Sequence, residues 1–280
     1  MRTRTSERRR IRIGIKPGQW GWTFGELSAA WDQAEALGFD VLACFDHVTA
    51  LPANLAAWDA PTLLAVMAAR TKRIALSVDV LNVSLRHPFL LAAQLAVVQA
   101  ASGGRLEVGL GAGSFELARH DHRALGIRMP PLAERRALLD ACVRVYPALW
   151  RGERVSDETL GLRDASLGPI AIAIPPLVLG GTSEAIMEAA VRGADGWNTH
   201  LRKLDEYEDR ARAIADISQR YGRTRPLLRH VQVFADSLEP EAARELVDGA
   251  ETLGATTVMF VLHRNHDLGA MEQLARAVLR

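Results

Sequence analysis

Cysteine is scarce in this chain. There are two, Cys44 and Cys142, and both sit inside apolar runs, where a lone thiol behaves as a small hydrophobe. So few cysteines leave no disulfide framework, and no Cys/His spacing of the metal-binding kind is present. An excess of charge of either sign is missing too: 34 Lys and Arg stand against 33 Asp and Glu, a formal net charge of +1. The concentrated basic surface that holds a phosphate backbone is therefore not expected, nor is a nucleic-acid partner. No apolar run is long enough to cross a bilayer, since the longest, PFLLAAQLAVVQAA, is broken by Gln94 and Gln99. The opening MRTRTSERRR is basic but carries no apolar segment or small-residue cleavage site, and residues 1–10 read as a frayed basic tail. These absences point to a reducing, cytoplasmic setting, with small molecules rather than membranes or nucleic acids as partners.

Hydrophobic residues make up 49% and charged residues 24%, the balance of an ordered soluble protein. A length of 280 residues allows either two domains or one large barrel. The pattern decides for the barrel. Short β-branched runs alternate with amphipathic stretches: IRIGI (11–15), DVLACF (40–45), RIALSVDVL (73–81), RLEVGLG (105–111), PLVLGG (176–181), GWNTH (196–200), LLRHVQVFA (227–235) and TTVMFVL (256–262). Between them lie helical segments. One ends at the C-cap candidate Gly38, another starts at Pro88 and stops at Ser102-Gly103-Gly104, and a third, AERRALLDACVRVYPALW, puts Leu138, Cys142, Val145 and Leu149 on one face, with a kink expected at Pro147. Eight such units without a central linker predict a single (β/α)8 TIM barrel over 11–280, with residues 151–175 as an excursion after the fourth helix.

Barrel enzymes carry their chemistry at the carboxyl ends of the strands, so the residues just past each strand form the useful inventory. Asp46, His47 and Thr49 follow strand two; Asn82, Ser84, Arg86 and His87 follow strand three. Gly111, Gly113, Ser114 and Glu116 follow strand four, with His120 and His122 in the loop beyond. Gly180, Gly181, Thr182 and Ser183 follow strand five, Asn198 and His200 strand six, and His263, Arg264, Asn265 and His266 strand eight.

The carboxylate–imidazole pair Asp46-His47 is the sharpest signal, because a carboxylate can fix the tautomer of an imidazole that trades protons near neutrality. Its bland reading is a loop cap beside a solvated histidine. Gly180 and Gly181 before a helix at Thr182 or Ser183 offer backbone amides and a positive helix end to a phosphate, or merely an ordinary N-cap. Gly109, Gly111 and Gly113 lack the spacing of a dinucleotide fingerprint; they let a flat ring approach the strand end or permit tight packing. Asp79, inside an apolar strand, needs a partner, either as a support of the barrel interior or in a ligand-contacting kink. His120, Asp121 and His122 lack the spacing of a metal site, and no metal is expected.

Four stretches, GFDVLACFDHVT, LRHPFLLAAQLAVVQAASGGRLEVGLGAG, HRALGI…PPLAERRALLD and PPLVLGGTSEAIMEAAVRGADGWN, taken in that order over roughly residues 11–200, resemble the bacterial-luciferase-like superfamily and its branch dependent on the deazaflavin coenzyme F420. The resemblance implies a (β/α)8 barrel with an insertion after the fourth helix and a coenzyme ring over strands two to four. It makes His47 the proton donor or acceptor and Asp46 the acid that holds the ring or the histidine. It also implies a non-proline cis peptide near the Asp79-Val80 bond, ring contacts from Asp79, Val80, Asn82, Gly111 and Gly113, and a phosphate turn at Gly180, Gly181 and Thr182. Two positions depart from the family pattern. Ser114 stands where relatives carry glutamate or an aromatic residue, which argues against a sugar-phosphate substrate, and Asp79 stands where small or apolar residues are usual. Arg86, Arg119 and Arg128 are candidates for the coenzyme tail. The activity implied is hydride transfer between F420 and a small organic substrate in a possible homodimer. The competing readings are an FMN-dependent monooxygenase, a non-catalytic flavin or deazaflavin binder, and a barrel acting on phosphorylated metabolites without a redox coenzyme.

Overall fold

Isoleucine at every second position, Ile13 and Ile15, gives the first strand, β1 (Arg12–Pro17), one aliphatic face, and a similar alternation builds the rest of the wall. The computed structural model describes residues 11–51, 54–113, 116–235, 238–262 and 268–279. The tail 1–10, Ser114, and the group His263, Arg264, Asn265 and His266 lie outside the described residues.

After β1 come α1 (Phe24–Leu37), β2 (Val41–Cys44), α2 (Ala60–Arg70), β3 (Ala75–Asn82), α3 (Pro88–Ala101) and β4 (Leu106–Gly111). The fourth unit then carries two helices, α4 (Glu116–Ala124) and α5 (Leu132–Trp150), and a small antiparallel hairpin, β5 (Val155–Asp157) with β6 (Leu162–Ala165). The chain finishes with β7 (Leu177–Gly180), α6 (Glu184–Gly193), β8 (Gly196–Leu201), α7 (Leu204–Arg220), β9 (Leu228–Phe234), α8 (Pro240–Thr252), β10 (Thr257–Leu262) and α9 (Leu268–Val278). Eight parallel strands close in the order β1-β10-β9-β8-β7-β4-β3-β2. All eight expected strands are present. The excursion at 151–175 holds the hairpin, and the stretch expected as a loop around His120 and His122 is the helix α4.

Helix boundaries follow local chemistry. Thr23 and Glu26 form a reciprocal capping box at the start of α1, which stops at Gly38 in the left-handed conformation, φ 97°. Asp59 caps α2 by accepting the Thr62 N–H at 3.1 Å, and Pro88 opens α3. Helix α5 continues past Pro147 to Trp150, so the proline falls in the last turn.

Ile13, Ile15, Leu42, Leu76, Val78, Leu106, Val108, Leu177, Leu179, Val231, Val258 and Phe260 pack outward against the helices in one aliphatic layer. The intervening positions turn into the lumen, where small and polar residues dominate. Val41, Ala43 and Met259 make a small apolar cluster there. Polar lumen side chains fall into two levels. Near the amino-terminal end, Arg12 bonds both oxygens of Glu107, at 2.5 and 3.1 Å, and Thr257 Oγ1 at 3.0 Å, with buried His230 3.6 Å from Glu107. Nearer the carboxyl end lie Lys16, Ser77, Asp79, Asn198 and Gln232.

The Asp79-Val80 peptide is cis, at the bond the family resemblance pointed to, and the β3–β4 register shifts between Val78 and Leu81. Val80 fills the space left by three glycines: a Cβ on Gly111 would lie 2.5 Å from Val80 Cγ2, on Gly180 2.6 Å from Cγ1, and on Gly109 3.0 Å from Cγ1. Close packing therefore accompanies the strand-end glycines Gly109 and Gly111, and Gly180 as well.

Candidate active site

The end of β2 is held from two sides before it presents any chemistry. Gln19, buried in the loop after β1, accepts the Phe45 N–H at 3.0 Å and donates to the Trp58 carbonyl at 2.6 Å. Trp20 and Phe45 stack edge to face with centroids 5.1 Å apart, and both flank the His47 ring, at 6.0 and 5.8 Å. This aromatic wall leaves the imidazole half-buried at the rim.

His47 Nδ1 lies 2.8 Å from Asp121 Oδ2. Asp121, on α4, is fully buried, and its other oxygen accepts the Thr49 N–H at 2.9 Å and the Thr49 hydroxyl at 2.6 Å. Burial raises the Asp121 pKa, but the bonds from His47 and Thr49 outweigh it and hold the carboxyl below the ordinary carboxylate value. An ionised acceptor at Nδ1 places the neutral ring's proton there, so Nε2 carries the lone pair. Nε2 has no hydrogen-bond partner among the described residues. A pair so arranged has the chemistry to accept or give a proton at Nε2.

Asp46, expected to hold the ring or the histidine, is not the residue that orients the imidazole. Its Oδ2 accepts Arg86 Nη1–H at 2.8 Å and the Asn82 N–H at 3.0 Å, tying the end of β2 to the end of β3. Burial raises its pKa, and the opposing pull of Arg86 leaves it raised. Arg86 also donates to Asp59 Oδ1 at 2.5 Å, so this guanidinium is committed to two carboxylates rather than to a coenzyme tail. Arg128, a second tail candidate, pairs with Glu134 at 2.8 Å on the surface, and Arg119 is exposed on α4.

His122 is buried and structural: Nδ1–H donates to the Ala118 carbonyl at 2.6 Å, and Nε2 lies 3.1 Å from Ser84 Oγ. Asn82 Oδ1 accepts both the N–H and the hydroxyl of Ser84, at 3.1 and 2.7 Å. The Ser84 N–H fixes the amide orientation, which leaves Asn82 Nδ2 as a buried donor without a partner among the described residues. Asp46 Oδ1 is a buried acceptor in the same condition. Gly113, at φ 61°, allows the chain to pass close to the Asn82 side chain, which a Cβ would strike.

At the start of α6, Trp197 Nε1–H donates to the Gly181 carbonyl at 2.8 Å, Gly181 N–H bonds the Asn198 carbonyl at 3.1 Å, and Thr182 and Ser183 are exposed with no side-chain cap over the first turn. That turn can receive an anion. Asp79 is buried in the lumen, with Oδ1 accepting the Ser77 hydroxyl at 3.1 Å, and Val80 is half-buried beside it. Among the described residues no group of three or more His, Cys, Asp or Glu converges on a metal position, and no helix is long and apolar enough to cross a membrane.

The residue that sequence reading missed is Asp121, which had been weighed only as part of a metal motif. Its partners lie 74 and 72 positions away. A lone acid on a short polar helix gives no sequence signal for such a contact.

The profile of a family described as luciferase-like monooxygenase matches residues 10–278. The chain is similar to the F420-dependent glucose-6-phosphate dehydrogenase of Beutenbergia cavernae, 29% identical over 244 residues, covering 84% of this chain and 71% of that one. It spans 59% to 71% of the curated relatives' own lengths. Among solved structures, an F420-dependent secondary alcohol dehydrogenase in complex with an F420-acetone adduct superposes with a TM-score of 0.80 at 14% identity, covering 96% of this chain and 99% of that one. A type II Baeyer-Villiger monooxygenase from Pseudomonas putida with FMN superposes with a TM-score of 0.69 at 16% identity, covering 96% and 98%. At these identities the structural likeness speaks for the shared barrel.

Proposed function

The chain belongs to the luciferase-like monooxygenase family, and from that premise we propose that it is an F420-dependent oxidoreductase in which His47 moves the proton that accompanies a hydride. The observation that carries the reading is the His47–Asp121 pair at the barrel rim, with Nε2 unpartnered among the described residues. The deazaflavin, when bound, supplies a two-electron hydride donor or acceptor; orientation and protons are left to the protein.

The residues present fit such a group. Asp46 Oδ1 and Asn82 Nδ2 offer a buried acceptor and a buried donor at the rim, half-buried Val80, backed by Gly109, Gly111 and Gly180, offers an apolar surface for a planar ring, and the uncapped first turn of α6, which follows Gly181 and Thr182, suits a phosphate. When a substrate C–H leaves as hydride, the proton on the adjacent heteroatom passes to His47 Nε2; in the reverse direction the imidazolium returns it. Trp20 and Phe45 limit water around the ring, and Asp121 stabilises the imidazolium as it forms. The substrate is a small organic molecule, the setting cytoplasmic, and the assembly a homodimer. Exposed Leu90 and Val97 on α3 support the dimer.

The FMN-dependent relative keeps an FMN monooxygenase as the second reading. Titration of the purified protein with F420 and with FMN at fixed salt decides between them: tighter F420 binding is expected, and a preference for FMN overturns the coenzyme assignment. His47→Ala should keep the coenzyme dissociation constant within about threefold while slowing turnover by about 10²–10⁴-fold. Binding without turnover in the wild type would instead mark a non-catalytic binder.

A further inference from the structure

Four polar side chains meet in the upper lumen, one from each of β1, β3, β8 and β9. All are at least nine-tenths buried: Lys16 at 5% exposure, Asp79 at 6%, Asn198 at 3% and Gln232 at 8%. Lys16 sits one residue from the end of its strand, Gln232 two, and Asp79 and Asn198 three each, so the level they form lies directly beneath the rim that carries His47. They are linked. Lys16 Nζ donates to the Asp79 carbonyl at 3.3 Å and to Gln232 Oε1, and Gln232 Nε2 donates to Asn198 Oδ1 at 2.6 Å.

This chain of bonds fixes every amide. The ammonium or amine of Lys16 donates, so Gln232 turns Oε1 toward it and Nε2 toward Asn198, which must then present Oδ1. Asn198 is left with Nδ2, a buried donor with no partner among the described residues. Asp79 spends Oδ1 on Ser77, and Oδ2 is left as a buried acceptor in the same condition. The lower polar level differs: Arg12, Glu107 and Thr257 satisfy one another, and the orphan there is a single imidazole nitrogen, His230 Nδ1. Burying a carboxylate oxygen and an amide N–H without partners is unfavourable, and an aliphatic pair would fill the same space without that penalty. Burial lowers the Lys16 pKa against the opposing pull of Asp79, so the cation supports the acid only in part.

We propose that Lys16, Asp79, Asn198 and Gln232 form the floor of the ligand cavity and read a ligand edge that pairs an N–H with a neighbouring C=O, Asp79 Oδ2 accepting the N–H and Asn198 Nδ2 donating to the carbonyl. The ligand class is a cyclic imide or amide, which flavin and deazaflavin rings both present. The assignment rests on the coenzyme reading above, and it makes Asp79, the residue at odds with an apolar strand, a determinant of ring recognition. Lys16 and Gln232 act as positioning residues by fixing which way the Asn198 amide faces.

The experiment is a fluorescence titration of the full chain with F420 and FMN, and with the N3-methylated derivative of whichever ring binds. Methylation replaces the N–H that Asp79 would accept. Wild type should bind the methylated ring about 10–100-fold more weakly. Asp79→Ala should bind the parent ring more weakly by a similar factor and lose the discrimination, and Asn198→Ala should weaken the parent ring while keeping it. The ligand-free melting temperature of Asp79→Ala should not fall, because the buried, unpartnered Oδ2 leaves with the carboxylate and only the single bond from Ser77 is given up. Equal wild-type affinity for parent and methylated rings, which requires no variant to fold, overturns the inference alone. So does an Asp79→Ala variant that binds normally but melts earlier, since that marks a structural acid. A wild type that binds neither ring overturns the coenzyme reading and this inference together.

Discussion

Asp121→Asn separates an orienting carboxylate from a bystander. The wild-type side chain is fully buried and receives three hydrogen bonds, at 2.6, 2.8 and 2.9 Å. Asparagine keeps the shape and one acceptor oxygen, enough for Thr49, but turns an amide donor toward His47 Nδ1. To keep that contact the imidazole must move its proton to Nε2, which changes from acceptor to donor. A bond to an ionised group is worth about 1.5–3 kcal/mol and a neutral one about 0.5–1.5; all three become neutral, so unfolding free energy at neutral pH should fall by about 3–4 kcal/mol. The pH dependence has a definite sign. The native Asp121 pKa lies below the ordinary value because the bonds from His47 and Thr49 outweigh burial. Such a group stabilises the fold above its unfolded pKa, about 4, and that stabilisation disappears as pH falls through the native value. Urea unfolding at about pH 7 should therefore resolve wild type from variant, and the two should converge in strong acid. Nitrogen NMR of the His47 ring provides the check on tautomer: Nδ1 protonated in the wild type, Nε2 in the variant. Turnover should drop by about 10²–10⁴-fold with the coenzyme dissociation constant unchanged. A neutral wild-type ring already protonated at Nε2, or a variant as stable as wild type at every pH, refutes the argument.

Two further substitutions test the frame around the dyad. Arg86→Met removes the cation from buried Asp46 and from Asp59; an uncompensated buried charge should cost about 3–5 kcal/mol and lower the melting temperature by roughly 6–15 °C, and a shift under about 2 °C would contradict the bridge. Gly111→Ala puts a methyl 2.5 Å from Val80 Cγ2 and should destabilise by about 1–3 kcal/mol. Pairing it with Val80→Ala should return part of that loss, and strictly additive effects in the double-mutant cycle would deny the contact.

The barrel wall was legible because its signal is local. β-branched runs with period two marked all eight strands to within two residues of their observed ends, and Pro88 and Gly38 marked helix limits at the positions observed. Elements that lack such a signal escaped. Helix α4, ELARHDHRA, is short and polar, and the hairpin strands β5 and β6 are three and four residues long with few β-branched side chains. The same limit applied within the site. His47 could be singled out because a strand end at a barrel rim is a position with chemical meaning, and the structure places it there, half-buried. The sequence neighbour Asp46 was expected to hold the ring or the histidine when the contact to the imidazole comes from Asp121, and the Arg86 that holds Asp46 was one of three candidates for a coenzyme tail. Adjacency in sequence says little about which side of a loop two side chains face; tertiary closure of the rim decides it.

The distribution of polar groups through the barrel gives a reason why the chemistry sits where it does. A barrel stabilised for its own sake fills its interior with layers of branched aliphatics. Here the aliphatic layer lies outside the wall, between strands and helices, and is continuous around the barrel. The lumen holds glycine at positions 14, 109, 111, 180 and 196 and two levels of polar side chains. The lower level is tied by the two bonds from Arg12 to Glu107 and leaves one atom, His230 Nδ1, without a partner among the described residues. Toward the carboxyl ends the number of unsatisfied atoms rises: Asp79 Oδ2 and Asn198 Nδ2 in the upper level, then Asp46 Oδ1 and Asn82 Nδ2 at the rim, with His47 Nε2 open beside them. Exceptions to local stability rules concentrate at functional sites because binding recovers there what folding alone leaves unsatisfied. The distribution therefore favours the carboxyl-terminal end of the lumen as the candidate site, and it predicts that this end gains most when a polar, planar ligand arrives.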